Sequence, residues 1–168
     1  MINKNANIIG LISLLILSMT ISLATTPLTS AHTPAWNIPT FAYISANPNP
    51  VGVGQEVLIV VWLNQVINGV DADNNIRFHD YKLTITKPDS SVETITWNVI
   101  SDPTSSAYTQ YTPTQVGNYS LLFQFPGQSY TWSGAYQGDY YLPSNATTTL
   151  TVQEQPIQRL PEIPLPTG

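Results

Sequence analysis

The sequence predicts an all-β protein, folded as an antiparallel sandwich of about seven strands. Short segments in which apolar and polar residues alternate are separated by turns rich in Pro, Gly, Asn and Asp. No segment after residue 31 has the apolar period of an amphipathic helix. Only 9% of the 168 residues are charged, whereas Thr, Ser, Asn and Tyr are abundant, as expected for an extracellular β surface. This length allows one ordinary domain with appendages.

The clearest strand begins after residue 117, and its alternate side chains form a core face. These side chains are Tyr119, Leu121, Phe123 and Phe125. Pro113 and Gly117 allow a sharp turn just before it. A Gly-x-Tyr entry after such a corner resembles the tyrosine corner of immunoglobulin-like sandwiches, in which the phenol hydroxyl bonds back to upstream backbone. We therefore predict an immunoglobulin-like β-sandwich with this segment as strand F; the alternative is an ordinary hairpin with a buried Tyr.

Residues 1–31 are predicted to be an export signal. Lys4 precedes an apolar run over residues 8–17, and small residues offer cleavage after Ala24 or after Ala31. The sequence does not choose between the two sites. The alternative is an uncleaved segment that anchors the chain, which would be its only contact with a membrane.

The first part of the domain contains two predicted strands. Residues 41–46 form a short strand that ends at an Asn-Pro-Asn-Pro sequence, because Pro cannot extend the ladder. Residues 51–55 form a turn. Residues 56–64 form the most apolar strand, with hydrophobic residues on both faces, so it must be central or covered on its second face.

A polar loop over residues 65–75 precedes a predicted hairpin. The first strand covers residues 77–87 and turns Tyr81, Leu83 and Ile85 inward. Residues 87–91, with Pro and Asp at the corner positions, form the turn. The partner strand covers residues 92–99 and is predicted to bury Ile95, Trp97 and Val99.

The remaining chain is predicted to contain a strand over residues 108–112, strand F, and a long loop over residues 126–145. A closing strand over residues 146–152 turns Leu150 and Val152 inward. The sandwich therefore spans residues 32–154. Residues 155–168 form a Pro-rich linker or tail suited to extended polyproline II.

Several of these segments together resemble the amino-terminal immunoglobulin-like module of archaeal secreted proteins in which a PQQ-type β-propeller repeat region follows. The resemblance is carried by the export signal, the Pro-rich exit and residues 31–36, 47–55, 86–89 and 111–119. It implies a secreted or cell-surface accessory module without catalytic residues. The propeller part is absent from this sequence, so no function of the propeller is implied.

Composition argues against several function classes. The formal net charge is −5 and no basic cluster is present, which argues against nucleic acid as a partner. Cysteine is absent, so thiol nucleophiles and zinc-thiolate sites are excluded. The two histidines are the only neutral-pH bases, and Asp80 beside His79 would point to the opposite face of a regular strand. We predict no enzyme and no cofactor.

Two metal sites are weaker hypotheses. Cleavage after Ala31 would expose the amine and imidazole of His32, which with His79 would resemble a histidine brace for Cu(II). Residues 71–75 offer oxygen ligands like the start of a calcium loop, but Ile76 and Lys82 stand where Gly and Glu are needed. A solvated turn is the prediction for that segment.

The best candidate for binding is the aromatic content of the 126–145 loop. Its five rings could stack on sugars or pack on a neighbouring domain; they are Tyr130, Trp132, Tyr136, Tyr140 and Tyr141. The alternative is that Tyr140 and Tyr141 plug the open end of the sandwich. Asn118 and Asn145 begin N-x-Ser/Thr sequons and are the predicted glycosylation sites.

The sequence thus predicts a non-catalytic module of an exported or cell-surface, archaeal-type glycoprotein. It would act as a spacer or docking domain for a downstream domain of a longer chain, or for another surface protein. The alternative, from a different class, is a carbohydrate- or cell-wall-binding module whose polysaccharide ligand is held by the aromatic loop.

Overall fold

The computed structural model describes residues 12–16, 18 and 34–158. The chain divides into two units, residues 1–31 and residues 32–168. In the first unit, the described residues are helical. Among all described residues, no helix is long and apolar enough to cross a membrane. Both predicted cleavage sites lie outside the described residues, as does most of the predicted signal.

The regular secondary structure described in the second unit consists of β-strands. In its described part, 34–158, the strands are β1 (Asn37–Ile38), β2 (Ala42–Asn47), β3 (Val51–Gly52), β4 (Val57–Leu63), β5 (His79–Thr86), β6 (Val92–Val99), β7 (Ser106–Tyr111), β8 (Gly117–Phe125), β9 (Gln128–Ser129), β10 (Tyr140–Tyr141) and β11 (Ser144–Gln153). They form a five-stranded sheet in the order β3-β11-β8-β5-β6, a three-stranded sheet β2-β4-β7, and a small sheet β1-β10-β9.

The two larger sheets pack face to face, which confirms the predicted immunoglobulin-like β-sandwich. Side chains alternate along β4, β5 and β8, and every second one is buried between the sheets. One core cluster joins Ile59 of the smaller sheet to Leu83 and Leu121 of the larger one. The burial follows from the two-residue period of a strand, because each inward set is apolar. As predicted, β4 is central in its sheet.

The tyrosine corner predicted before β8 is present. The Tyr119 ring is fully buried, and its Oη accepts the Gln115 N–H (3.0 Å) and donates to the Gln115 C=O (3.2 Å). Gly117 has φ +131°, and a Cβ there would meet the Pro88 ring at 2.9 Å. The corner therefore requires glycine both for its backbone conformation and for the contact with Pro88.

The predicted hairpin is formed by β5 and β6, with Tyr81 opposite Trp97. Ile95 and Trp97 are half-buried against the core. The prediction that Val99 is buried is wrong, because Val99 is 54% exposed. The reason is position: β6 is the edge of the five-stranded sheet, and the facing sheet has only three strands.

Several boundaries differ from the predictions by one to four residues, and pairings of only two residues were missed because they leave no periodic pattern in a sequence. Val51 and Gly52, predicted as part of a turn, pair in parallel with the end of β11. The predicted loop 126–145 contains the two-residue strands β9 and β10. The closing strand begins at Ser144 and not at residue 146, and it pairs with β8 along its length.

A carboxylate joins the hairpin turn to the tyrosine corner. Asp89 Oδ1 accepts the Ser91 hydroxyl (2.6 Å) and the Ser91 N–H (2.9 Å), and its Oδ2 accepts Gln115 Nε2–H (2.8 Å). These bonds, led by the Ser91 hydroxyl and then the Gln115 amide, lower the pKa of Asp89 to about 2. The hydrogen bonds from the two turns therefore favour the ionised form of the Asp89 carboxyl group.

This predicts an acid-sensitive contribution to stability. The pKa of Asp89 is lower in the folded protein than the ordinary value of about 4 in an unfolded chain. Its stabilisation is therefore fully present above pH ~4 and is lost as the pH falls towards 2. NMR titration of the carboxyl should give a midpoint near 2, and Asp89→Asn should flatten this part of the stability–pH curve. An Asp89 midpoint near 4 would contradict the assignment.

Candidate functional site

The five aromatic residues of the 126–145 segment, here called the aromatic end, lie at one end of the sandwich around β9 and β10. Tyr130 and Tyr141 are buried, whereas Trp132, Tyr136 and Tyr140 are half-buried. The Tyr130 ring makes edge contacts with Trp132 (centroids 5.2 Å apart) and Tyr136 (5.8 Å). Four of the five therefore pack as part of, or against, the same core cluster.

Backbone pairing and one buried carboxylate fix this segment. β10 lies between β9 and β1, so β1, near the start of the domain, pairs with β10 of the aromatic end. Asp139 is fully buried, and its Oδ1 accepts the Trp36 N–H at 2.8 Å. The Asp139 carbonyl accepts the Tyr130 N–H at 2.7 Å. The rings are thus held on paired backbone and not on a free loop.

Tyr141 is the ring most fully integrated into the core. It meets Phe78 edge to face, with centroids 5.1 Å apart, and its Oη accepts the Asn68 N–H at 2.7 Å. Desolvation by burial raises the pKa of Tyr141 to about 12, against the opposing bond from Asn68. The phenol therefore stays neutral at physiological pH and acts as a structural hydrogen-bonding group.

Some of the five rings are placed as a plug of the sandwich end, and others are accessible to a ligand. The buried Tyr141 is positioned as the plug alternative requires, and Tyr130 shares its core cluster. Trp132, Tyr136 and Tyr140 retain partial exposure, so they are the members of the set that a ligand could contact. Ligand binding by the aromatic end stays a prediction.

Of the two histidines in the copper hypothesis, only His79 lies among the described residues. His32 lies outside the described residues, so the copper hypothesis stays a prediction there. His79 is half-buried, and the centroid of its ring lies 6.3 Å from that of Trp132. Its backbone N–H donates to Gln128 Oε1. Asp80 has φ +60° and is exposed, between the half-buried His79 and the buried Tyr81. Within the described ranges, no three His, Asp or Glu side chains are close enough to hold a metal.

The backbone around residues 71–75, weighed as the start of a calcium loop, binds a cation from the chain itself. Arg77 is buried, and its guanidinium donates to the carbonyl oxygens of Asp71 (3.0 Å), Ile76 (2.8 Å) and Ala72 (3.3 Å). Its Nε also donates to the Ser101 carbonyl at 3.1 Å. The backbone oxygens of this turn are therefore bound by a charged donor.

Both sequon asparagines are exposed on the five-stranded sheet. Asn118 lies at the start of β8, and its Oδ1 accepts the Thr151 hydroxyl at 3.3 Å. Asn145 lies on β11 and lines an open cavity of about 420 Å³ together with Asp80 and Lys82. Their exposure is compatible with modification, and occupancy of the sequons stays a prediction.

Comparisons with known proteins give little beyond this geometry. No family model matches the chain, and no curated protein is significantly similar to it. A solved structure, the CARDB domain of a Pyrococcus furiosus protein in complex with di-metal ions, matches with 16% identity and a TM-score of 0.35. The match covers 76% of this chain and 100% of that one. A similarity at this level supports no statement about function.

Sequence reasoning missed two sets of residues with clear structural roles. The guanidinium of Arg77 had a recognisable signal, because a cation next to a carbonyl-rich turn of Asp and Asn can bind that turn's backbone. Gln55, whose side-chain amide bonds to the backbone of Ile157, has no such signal in the sequence, since the two residues are about a hundred positions apart.

Proposed function

We propose that this chain is a non-catalytic immunoglobulin-like module of an exported or cell-surface protein, and that it serves as a spacer or docking domain. The neighbour is a following domain, of the kind found where such modules precede PQQ-type β-propeller repeats in archaeal secreted proteins. The β-sandwich fold and the nature of the exit segment support this proposal.

The main observation in support of a spacer is that the start of the Pro-rich segment is attached to the sandwich. Gln55 Oε1 accepts the Ile157 N–H (2.8 Å) and the Gly52 N–H (2.9 Å), while its Nε2–H donates to the Ile157 carbonyl (3.0 Å). Gln153 Nε2–H also donates to the Gln155 carbonyl at 2.9 Å. A spacer sets the direction of the next domain only if its exit is held, and this exit is held by backbone-specific bonds.

The proposal predicts a narrow distance between the sandwich and its exit. The chain has no cysteine, so spin labels can be placed at Thr147→Cys on β11 and at Gln158→Cys. Pulsed electron-spin measurements on the mature chain should give one narrow distance distribution. Gln55→Ala should broaden it, because two bonds to Ile157, at about 1 kcal/mol each, are lost.

The matched control is Gln110→Ala, an exposed glutamine on β7 whose amide bonds to Glu56 and not to the exit. It should leave the distribution unchanged. A broad distribution in the otherwise unmodified chain would contradict a spacer with a fixed exit. The reading frame of the gene beyond residue 168 is the complementary observation, since an immediate stop codon would count against a following domain.

Carbohydrate or cell-wall binding through the aromatic end is the second candidate. The observation in its favour is the partial exposure of Trp132, Tyr136 and Tyr140. Tyr130 and Tyr141 would support this site as core residues and would not contact the ligand, because each is less than 5% exposed. The proposal is therefore narrower than the five-residue set predicted from the sequence.

A further inference from the structure

The outward face of the β2-β4-β7 sheet is unusually apolar for a surface exposed to water. Each of its three strands contributes three outward side chains, in alternation with the core set: Tyr43, Ser45 and Asn47; Leu58, Val60 and Trp62; Ser106, Tyr108 and Gln110. Tyr108 is 69% exposed, and Tyr43 and Leu58 are each exposed by more than 40%. A solvated sheet face normally carries polar side chains.

The cross-strand register brings the rings of this face together. Tyr43 lies opposite Trp62, and Trp62 lies opposite Ser106. The Tyr43 and Trp62 rings are stacked, with centroids 5.4 Å apart and planes 11° from parallel. Tyr108 follows Ser106 by two residues on the same strand, so the small Ser106 lies between two large aromatic side chains. The face therefore carries three large aromatic side chains around a small hydroxyl-bearing residue.

Charge determines which partners suit this face. None of the nine outward side chains carries a charge. At one end, Ser106 Oγ–H donates to Asp102 Oδ2 (2.8 Å), and at the other, Gln110 Nε2–H donates to Glu56 Oε1 (3.0 Å). Carboxylates at both ends repel an anionic polymer and provide acceptors for hydroxyl groups. The face therefore suits a neutral, hydroxyl-rich ligand.

Size argues against a second copy of the chain as the occupant. Six residues at about 3.4 Å each and three strands about 4.8 Å apart give a face of roughly 20 by 10 Å. A stable protein interface involves about 20 to 30 residues on each partner, more than the nine outward side chains of this face. A linear sugar chain needs only a narrow strip, with apolar ring faces stacked on aromatics and hydroxyls bonded at the margins.

We propose that the outward face of the β2-β4-β7 sheet binds a neutral polysaccharide, with Tyr43, Trp62 and Tyr108 stacking on sugar rings. Asn47, Gln110 and Asp102 provide hydrogen-bonding groups along its margins. This surface is separate from the aromatic end, and the spacer role does not depend on it. A non-catalytic module with such a surface would hold its chain against a neutral glycan coat.

The test is native affinity electrophoresis of the mature chain in gels containing mannan, xylan, laminarin or galactomannan, with alginate and polygalacturonate as acidic comparators. At least one neutral polysaccharide should retard the protein, and the acidic ones should not. Tyr108→Ala and Trp62→Ala should each weaken binding by about tenfold or more. Tyr108 is largely exposed, so its variant keeps the test valid if Trp62→Ala fails to fold.

Val92→Ala, an exposed apolar position on the opposite sheet, is the matched control and should bind as the unmodified chain does. The proposal is overturned if no neutral polysaccharide retards the protein, or if Tyr108→Ala binds normally. Loss of binding in Trp132→Ala alone would assign the ligand to the aromatic end. A dimer in sedimentation that Tyr108→Ala dissociates would identify a second copy as the occupant.

Discussion

Replacing Tyr119 with alanine is expected to destabilise the domain by about 3 to 5 kcal/mol, the usual effect of removing a large buried ring. The ring is fully buried and meets Tyr111 edge on, with centroids 6.0 Å apart. The change also removes both bonds to the Gln115 backbone. A domain without disulfides has about 5 to 15 kcal/mol in total, so denaturant melts should show a large fall in midpoint.

Tyr119→Phe separates the two contributions. It keeps the ring and removes only the hydroxyl, so the expected loss is about 1 to 3 kcal/mol for two hydrogen bonds. Tyr43→Phe, at an exposed tyrosine, is the control and should change stability little. A melt of Tyr119→Ala that matches the unmodified protein would show that the corner does not support the sandwich.

Arg77→Ala is expected to cost about 2 to 4 kcal/mol. The guanidinium bonds four carbonyl groups, and its removal leaves them without a donor in a partly buried turn. Arg77→Lys keeps the charge but not the planar set of donors, so it should recover only part of the loss. Equilibrium unfolding in urea measures both variants.

Lys82→Ala is the matched control, because Lys82 is an exposed cation on the neighbouring strand β5. It should change the free energy of unfolding by no more than about 0.5 kcal/mol. If Arg77→Ala were equally mild, the 71–76 turn would not depend on its internal cation. Added calcium should leave the unmodified protein unchanged, since Ile76 and Lys82 stand where a calcium loop needs Gly and Glu.

The parts of the fold that could be predicted are those in which one local pattern determines the outcome. Period-two alternation identified β5 and β8, and the Pro and Gly before Tyr119 identified the corner, because these signals lie within a few residues of each other. Val99 was assigned wrongly, since alternation shows which face a side chain is on but not whether another sheet covers that face. The pairings of β1 and β3 join distant residues over only two positions and leave no periodic signal.

The candidate sites show the same limit. The sequence identified the aromatic residues of the 126–145 segment but could not tell that Tyr130 and Tyr141 are in the core, because rings in a Gly-rich segment can face either way. The apolar residues on both faces of β4 predicted a strand that is central or covered on its second face, and β4 is central in its sheet. The second face of β4 is only partly covered within the described residues, since Leu58 is 43% exposed.

The bonds from Gln55 determine where substitutions can be tolerated around the exit. At position 157 its amide bonds only to the backbone N–H and C=O, so this position should reject proline, which has no N–H, and accept most other residues. Position 52 is far less tolerant, because a Cβ on Gly52 would lie 2.6 Å from Pro156 Cα and 2.8 Å from Gln55 Oε1. The Pro-rich segment can therefore change its composition while the sandwich retains the site that orients it.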